Sequence, residues 1–164
     1  MAVLIKLFAW INLLMLNSSV VFAATYLSKK QALKLAFGPN ASYQKVLQVI
    51  PDDLRKTAQK LTTFNLDKSF LFYKSIESKG QASSFAIIDN VIGKHRPITY
   101  LLALDGDLKI RFVEIMAYRE SRGGQVRNKA WRHQFIGKAP GDRLRVGRNI
   151  DNIAGATLSC RALS

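Results

Sequence analysis

Cysteine is almost missing from this chain. Cys160 stands alone among 164 residues, so no disulfide within the chain can brace the fold. Stability must come from a packed core, helped by any ligand that binds the native state. Histidine is nearly as scarce. His95 and His133 are far apart and lack neighbouring ligand spacing, which reads as surface or packing residues rather than a metal site. No Gly-x-Ser-x-Gly, Walker or His-Glu-x-x-His pattern occurs, which argues against a self-contained hydrolase. Glu114 and Glu120 flank the end of a strand, but carboxylate pairs are too common to indicate catalysis.

Acidic residues are also few: 11 Asp and Glu against 25 Lys and Arg, a formal charge of +14. The excess gathers between Lys109 and Arg148, where arginine dominates. A basic surface suits nucleic acid, anionic lipid or a phosphate-bearing ligand, or it is simply a solvated face. Helix-turn-helix, zinc and RNP signatures are lacking, and with an export signal at the N-terminus nucleic acid is disfavoured as a partner.

The opening residues, MAVLIKLFAWINLLMLNSSVVFA, read as a signal peptide over 1–23. Lys6 supplies the positive end, Leu7 to Leu16 the apolar stretch, and Val21-Phe22-Ala23 a small-residue cleavage site. An uncleaved anchor is the alternative, although the apolar core is short for the ~20 residues a span needs. Either way the remainder is expected to be exported, periplasmic or at the outer face of the cytoplasmic membrane. About 140 residues remain, which suits one domain.

Ser28 and Gln31 have capping-box spacing and open a helix with Ala32, Leu33, Leu35 and Ala36 on its apolar side, stopped at Gly38-Pro39. A second helix is predicted over 51–61, with Pro51 in its first position and Asp52 and Asp53 placed for the dipole. Residues 24–65 therefore read as an N-terminal helical segment. Beyond Asn65 the pattern turns to strands: FLFYKSI, SSFAIIDNVIG, ITYLLALD and LKIRFVEIMAY. Asp105-Gly106 is the best hairpin signal in the chain. Gly123-Gly124 ends the strands, and QVRNKAWRHQFIGK reads as one helix with Val126, Trp131, Phe135 and Ile136 inward. The sum is a single α+β domain, an antiparallel sheet flanked by helices, with 66–164 as its functional part.

The tail DNIAGATLSCRALS carries turn and helix-start chemistry where a chain end would ordinarily fray. Gly155 permits a sharp turn, and Thr157 or Ser159 caps a short helix through Leu158, Ala162 and Leu163. The N–H groups freed at such a helix start suit a phosphate. Cys160 reads as a small apolar filler.

Four stretches in order, GKHRPITYLLALDGDL, YRESRGGQV, WRHQFIGK and DNIAGATLS, resemble the FMN-binding domain family. That family includes the flavinylated C subunit of the sodium-pumping NADH:quinone reductase, the G subunit of the Rnf complex, and small stand-alone exported domains. The resemblance covers most of residues 27–164 and implies an exported electron carrier with FMN held as a phosphoester on Thr157. Around it the resemblance sets Asp151, Gly155, Ala156, Leu158 and Ser159. Arg119, Glu120, Gly123 and Gly124 are expected beside the flavin ring, and Arg119, Arg122 and Arg127 are candidates for meeting an acidic redox partner. Ala154 departs from the family pattern, which commonly has serine or threonine there. The implied partners are a separate magnesium-dependent transferase that delivers FMN from FAD, and a redox partner such as a membrane electron-transport complex. The alternatives are a non-redox basic module for an anionic ligand or membrane surface, and a domain binding FMN without a covalent bond.

Overall fold

The computed structural model describes residues 24–61, 67–76 and 83–164. The signal-peptide reading of 1–23 and the boundary near residue 65 lie outside these residues. The elements are β1 (Ala24–Thr25), α1 (Lys29–Phe37), β2 (Tyr43–Val49), α2 (Asp52–Leu61), β3 (Ser69–Ser75), β4 (Ser84–Ile92), β5 (Pro97–Asp105) and β6 (Ile110–Tyr118). A 3-10 turn (Gly124–Arg127), α3 (Lys129–His133) and α4 (Thr157–Leu163) complete the chain. The strands form one open antiparallel sheet in the order β1-β6-β5-β4-β3-β2. The α+β expectation is met.

Alternation along the strands sends apolar side chains to both faces. One face holds Tyr73, Ala86, Leu101, Ala103 and Met116 beneath Ala32, Leu33 and Ala36 of α1. The Ser28 capping box opens α1, and the Gly38 N–H closes it on Lys34 O at 2.8 Å. The other face holds Ile98, Val113, Ile115 and Tyr118 beneath Val126, Trp131, Phe135, Ile150, Ala156 and Cys160. Each large side chain fully buried there contributes about 1.5–3 kcal/mol.

Two β-bulges on β6 decide which side chains reach the second face. Between Thr99 and Tyr100 the partners on β6 jump from Ala117 to Ile115, so Met116 is an extra residue. The extra residue reverses the alternation, and Tyr118 joins Ile115 on the face covered by the tail. Arg111 is the extra residue of the second bulge, and its guanidinium donates to Ala36 O at the end of α1.

Several elements differ from the sequence reading. The segment read as helical also carries β1 and β2, the two edge strands of the sheet, because β2 takes its pairing from β3 rather than from its own local pattern. Pro51 precedes α2 and accepts from the Arg55 N–H. The single helix read over 125–138 is broken at Asn128, whose extended ψ of 124° lets its side chain cap Ala130. Val126, Trp131 and Phe135 are buried as expected, but Ile136 is exposed, since the chain turns at Gln134–Gly137. The Asp105-Gly106 turn does join β5 to β6, with Asp105 Oδ1 accepting from the Asp107 and Lys109 N–H groups.

Glu114 is structural. Its Oε1 lies 2.5 Å from Arg132 Nη1, which also donates to Val113 O, and so clamps α3 to β6.

Candidate functional site

Two turns and the tail meet at one end of the sheet. The β4–β5 turn (Lys94, His95), the turn after β6 (Glu120, Ser121, Arg122) and Gly155 to Ser159 enclose a cleft of about 610 Å³. A shallower depression adjoins it through Ser121, Arg122 and Gly155, floored by Gly123 and Gly124.

The tail is docked. Trp131 Nε1 donates to Asp151 O at 2.7 Å, and the Asp151 N–H donates to Gln134 Oε1 at 2.8 Å. Ile150, Ala156 and Cys160 are buried in the core. Between these anchors Gly155 takes φ +79°, which lets the Ala156 N–H close a turn onto Ile153 O at 2.9 Å. No atom crowds a Cβ built there, so the backbone angle alone selects glycine.

Tyr118 fastens the tail to the turn after β6. Its hydroxyl donates to Arg122 O, which uses its one proton. Ser159 Oγ, 2.9 Å away, must then donate to the tyrosine oxygen. Burial raises the Tyr118 pKa above the usual phenol value, outweighing the Ser159 hydrogen bond that lowers it, so the phenol stays protonated. Gly123 sits against this junction at φ +88°. A Cβ there would lie 2.7 Å from Tyr118 Oη and 2.8 Å from Ser159 Oγ.

Glu120 holds the opposite wall. Its Oε1 accepts from the backbone N–H groups of His95 and Arg96, the latter at 2.7 Å. Burial acts to raise its pKa, but the Arg96, His95 and Lys94 N–H groups together with His95 outweigh this and hold the carboxyl below the usual range. The carboxylate is thus spent on shaping the turn.

The hydroxyl expectations divide sharply. The helix α4 starts at Thr157, with Ala156 at its N-cap position and no side-chain cap. Neither Thr157 nor Ser159 caps it, which corrects the sequence reading: Ser159 Oγ is committed to Tyr118. Thr157 is half-buried at the cleft wall, and its hydroxyl is engaged by none of the described residues. Leu158 is exposed at the rim.

Other expected residues fall elsewhere. Arg119 donates to Thr99 Oγ1 at 2.8 Å and to Pro97 O, which ties it to β5 and away from the cleft. Arg127 stacks on Tyr26 at 3.4 Å from the ring centroid. The Asp151 side chain does not line the cleft; its backbone anchors the tail. Cys160 is fully buried, and burial raises its thiol pKa, offset in part by backbone N–H groups, so it is an inert filler. Lys94, His95 and Ser121 escaped the sequence reading as site residues. Glycine at 93 opens the first resembling stretch, but nothing in the sequence measures the gap from that turn to a tail some sixty residues on.

The donor set suits a phosphate ester. Lys94 and Arg122 bring positive charge to the cleft lined by the Thr157 hydroxyl, and among the described residues the carboxylate lining it is that of Glu120.

Residues 93–164 match the FMN-binding domain family. That segment contains both walls of the cleft, so the resemblance read from the sequence holds over it, and FMN is the cofactor it supports. The fold is similar to the crystal structure of Shewanella oneidensis NqrC, at TM-score 0.51 and 15% identity, over 74% of this chain and 75% of that one. At such identity the likeness concerns the fold. No curated protein matches the chain. Among the described residues no three His, Cys, Asp or Glu side chains gather to hold a metal, and no helix is long and apolar enough to cross a membrane.

Two predictions test this construction. Gly123→Ala combines backbone strain with a clash and is expected to cost about 2–4 kcal/mol, whereas Gly155→Ala meets strain alone and costs about 1–2 kcal/mol. Urea titrations of both variants check the order, and equal losses would contradict the Tyr118–Ser159 junction. Glu120 adds stability that is present above the ordinary carboxylate pKa and lost as pH falls through its lowered value. The deficit of Glu120→Gln relative to wild type should therefore shrink on acidification. A gap that stays constant from neutral to strongly acid pH would show that the charge of Glu120 is irrelevant.

Proposed function

We propose that this protein is an exported flavoprotein electron carrier, with FMN joined through a phosphoester to Thr157. The observation that carries the proposal is the contrast between two neighbouring hydroxyls: Ser159 is bonded into the fold, while Thr157 is left at the wall of a basic cleft. The family match over 93–164 supports FMN as the group attached.

In the attachment step Thr157 Oγ forms a new bond to the FMN phosphorus of FAD. The phosphoanhydride bond breaks, AMP leaves, and the threonine proton goes to the transferase or to water. The separate transferase is proposed to provide the base for that step. Here the chain presents the oxygen at a fixed place, because Ala156 and Cys160 are locked in the core on either side of Thr157. Lys94 and Arg122 hold the phosphate's negative charge. The flavin, when bound, supplies reversible electron transfer, and the protein supplies orientation and electrostatics. Gly123 and Gly124 offer a side-chain-free surface beside the cleft for the ring. Ala154 is exposed, so its departure from the family pattern removes at most one surface hydrogen bond, worth about 1 kcal/mol. Export and docking to a membrane electron-transport complex belong to the same proposal.

Coexpression with a flavin transferase followed by intact-mass measurement tests it. Wild type and Ser159→Ala should carry the FMN increment, Thr157→Ser should carry part of it, and Thr157→Ala none. Covalent flavin on Thr157→Ala would move the site elsewhere. Flavin that copurifies with wild type but separates on denaturation would favour non-covalent binding.

A further inference from the structure

We infer that the loop carrying Arg143, Arg145 and Arg148 is a docking point for an acidic protein surface. Among the described residues, these three arginines and Asn149 line an open depression of about 290 Å³. Their convergence is built into the backbone. Asn149 Oδ1 accepts from the Arg145 N–H at 2.7 Å, and its Nδ2 donates to Arg143 O at 2.6 Å. Arg145 O in turn receives the N–H groups of Arg148, Asn149 and Ile150, and a bridge pairs Val146 with Ile150. Leu144 and Val146 pack inward against the core while Arg143 and Arg145, in alternation, point to solvent. Ile150, 1% exposed, nails the end of the loop down.

Three guanidiniums held together repel one another, and no acidic side chain among the described residues pairs with them. Among the described residues the ion pairs are Arg55–Asp52 and Arg132–Glu114, neither in this loop. The neighbouring Asp142 carboxylate is occupied by the Ala139 N–H at 2.8 Å. Such a cluster fits carboxylates, which match the planar fork of arginine in two parallel hydrogen bonds.

A small phosphate fits less well. Anion nests use free backbone N–H groups, and those of Arg145, Gly147, Arg148, Asn149 and Ile150 are all bonded within the loop. A membrane fits less well too, since surface-binding segments bury apolar side chains beside their charges. No large apolar side chain is exposed between Ile136 and Leu158. An acidic protein face remains.

The loop leads directly into the docked tail, and its Leu144 and Val146 share the cluster of Ala156 and Cys160. A partner seated there lies on the side of the sheet that carries the cleft. This also reassigns the docking arginines: Arg119 and Arg127 are held by the fold itself. The partner's redox role rests on the function proposed above, but the docking does not.

The test uses the purified full chain and three probes: a hexaglutamate peptide, inorganic phosphate, and phosphatidylglycerol–phosphatidylcholine vesicles. The triple variant Arg143→Gln, Arg145→Gln, Arg148→Gln is compared with Lys30→Gln, Lys45→Gln, Lys56→Gln, which removes the same charge from exposed positions elsewhere. Hexaglutamate affinity should fall about tenfold or more in the arginine variant and less than about twofold in the lysine variant. Equal losses would overturn the proposal in favour of bulk charge, as would vesicle or phosphate binding that depends on the arginines more than hexaglutamate binding does. Absence of hexaglutamate binding by wild type would overturn it outright. Arg148→Gln alone, losing about two- to threefold, keeps the test open if the triple variant folds poorly. Flavin attachment read by mass in the same samples reports separately on the proposed function.

Discussion

The hydroxyl of Tyr118 is the point on which the site turns. It reaches across from the end of β6 to bind the turn carbonyl of Arg122 and to receive the proton of Ser159 from α4. The end of β6, the turn that follows it and a helix some forty residues on thereby share one oxygen. A phenol in this position cannot be exchanged for a phenylalanine without leaving Ser159 Oγ and Arg122 O to find other partners, and buried polar groups without partners are costly. The crowding around Gly123 follows from the same junction, because the turn must pass close to both hydroxyls.

From that junction the cleft assembles by division of labour. Buried residues of the tail fix the backbone on either side of Thr157, and Glu120 pins the opposite turn through its N–H groups. Polar groups that would compete for a ligand are consumed in the frame: Ser159 by Tyr118, Glu120 by the β4–β5 turn, Arg119 by β5. Among the described residues, what is left at the cleft is the hydroxyl of Thr157 on the tail and that of Ser121 on the opposite turn, with Lys94, His95 and Arg122 beside them. Basic charge outside the cleft is concentrated where the loop before the tail forces three arginines together. A weakly populated tail would separate these two features, and a docked one keeps them on a common face.

Much of the fold was legible because local chemistry and tertiary structure agree there. The Ser28 capping box, the four strands from Ser69 onward and the Asp105-Gly106 turn each carry their own signal, and each appears. Strand β2 does not, because its residues are mostly exposed and only pairing with β3 makes them a strand. The broken helix at Asn128 was hidden by good helix formers on both sides. Thr157 and Gly123, singled out in the sequence by family resemblance and turn chemistry, fall at the cleft and beside it. Lys94 and His95 were not singled out, since their proximity to the tail arises from the sheet register. Arg119, expected beside the flavin ring from the resemblance and its nearness to the Gly123-Gly124 turn, is instead held by Thr99 and Pro97 of β5, a contact that no local sequence pattern marks.

The central claim is that the last helix is part of the folded core, fastened through Tyr118, and not a frayed end. Native-state hydrogen exchange at the Cys160 amide, which donates to Ala156 O at 2.9 Å, tests it most directly. The account predicts protection approaching that of the β5 and β6 amides, with exchange about tenfold faster in Tyr118→Phe, the loss of about one hydrogen bond's worth of stability. A Cys160 amide that exchanges freely while β5 and β6 stay protected would contradict it.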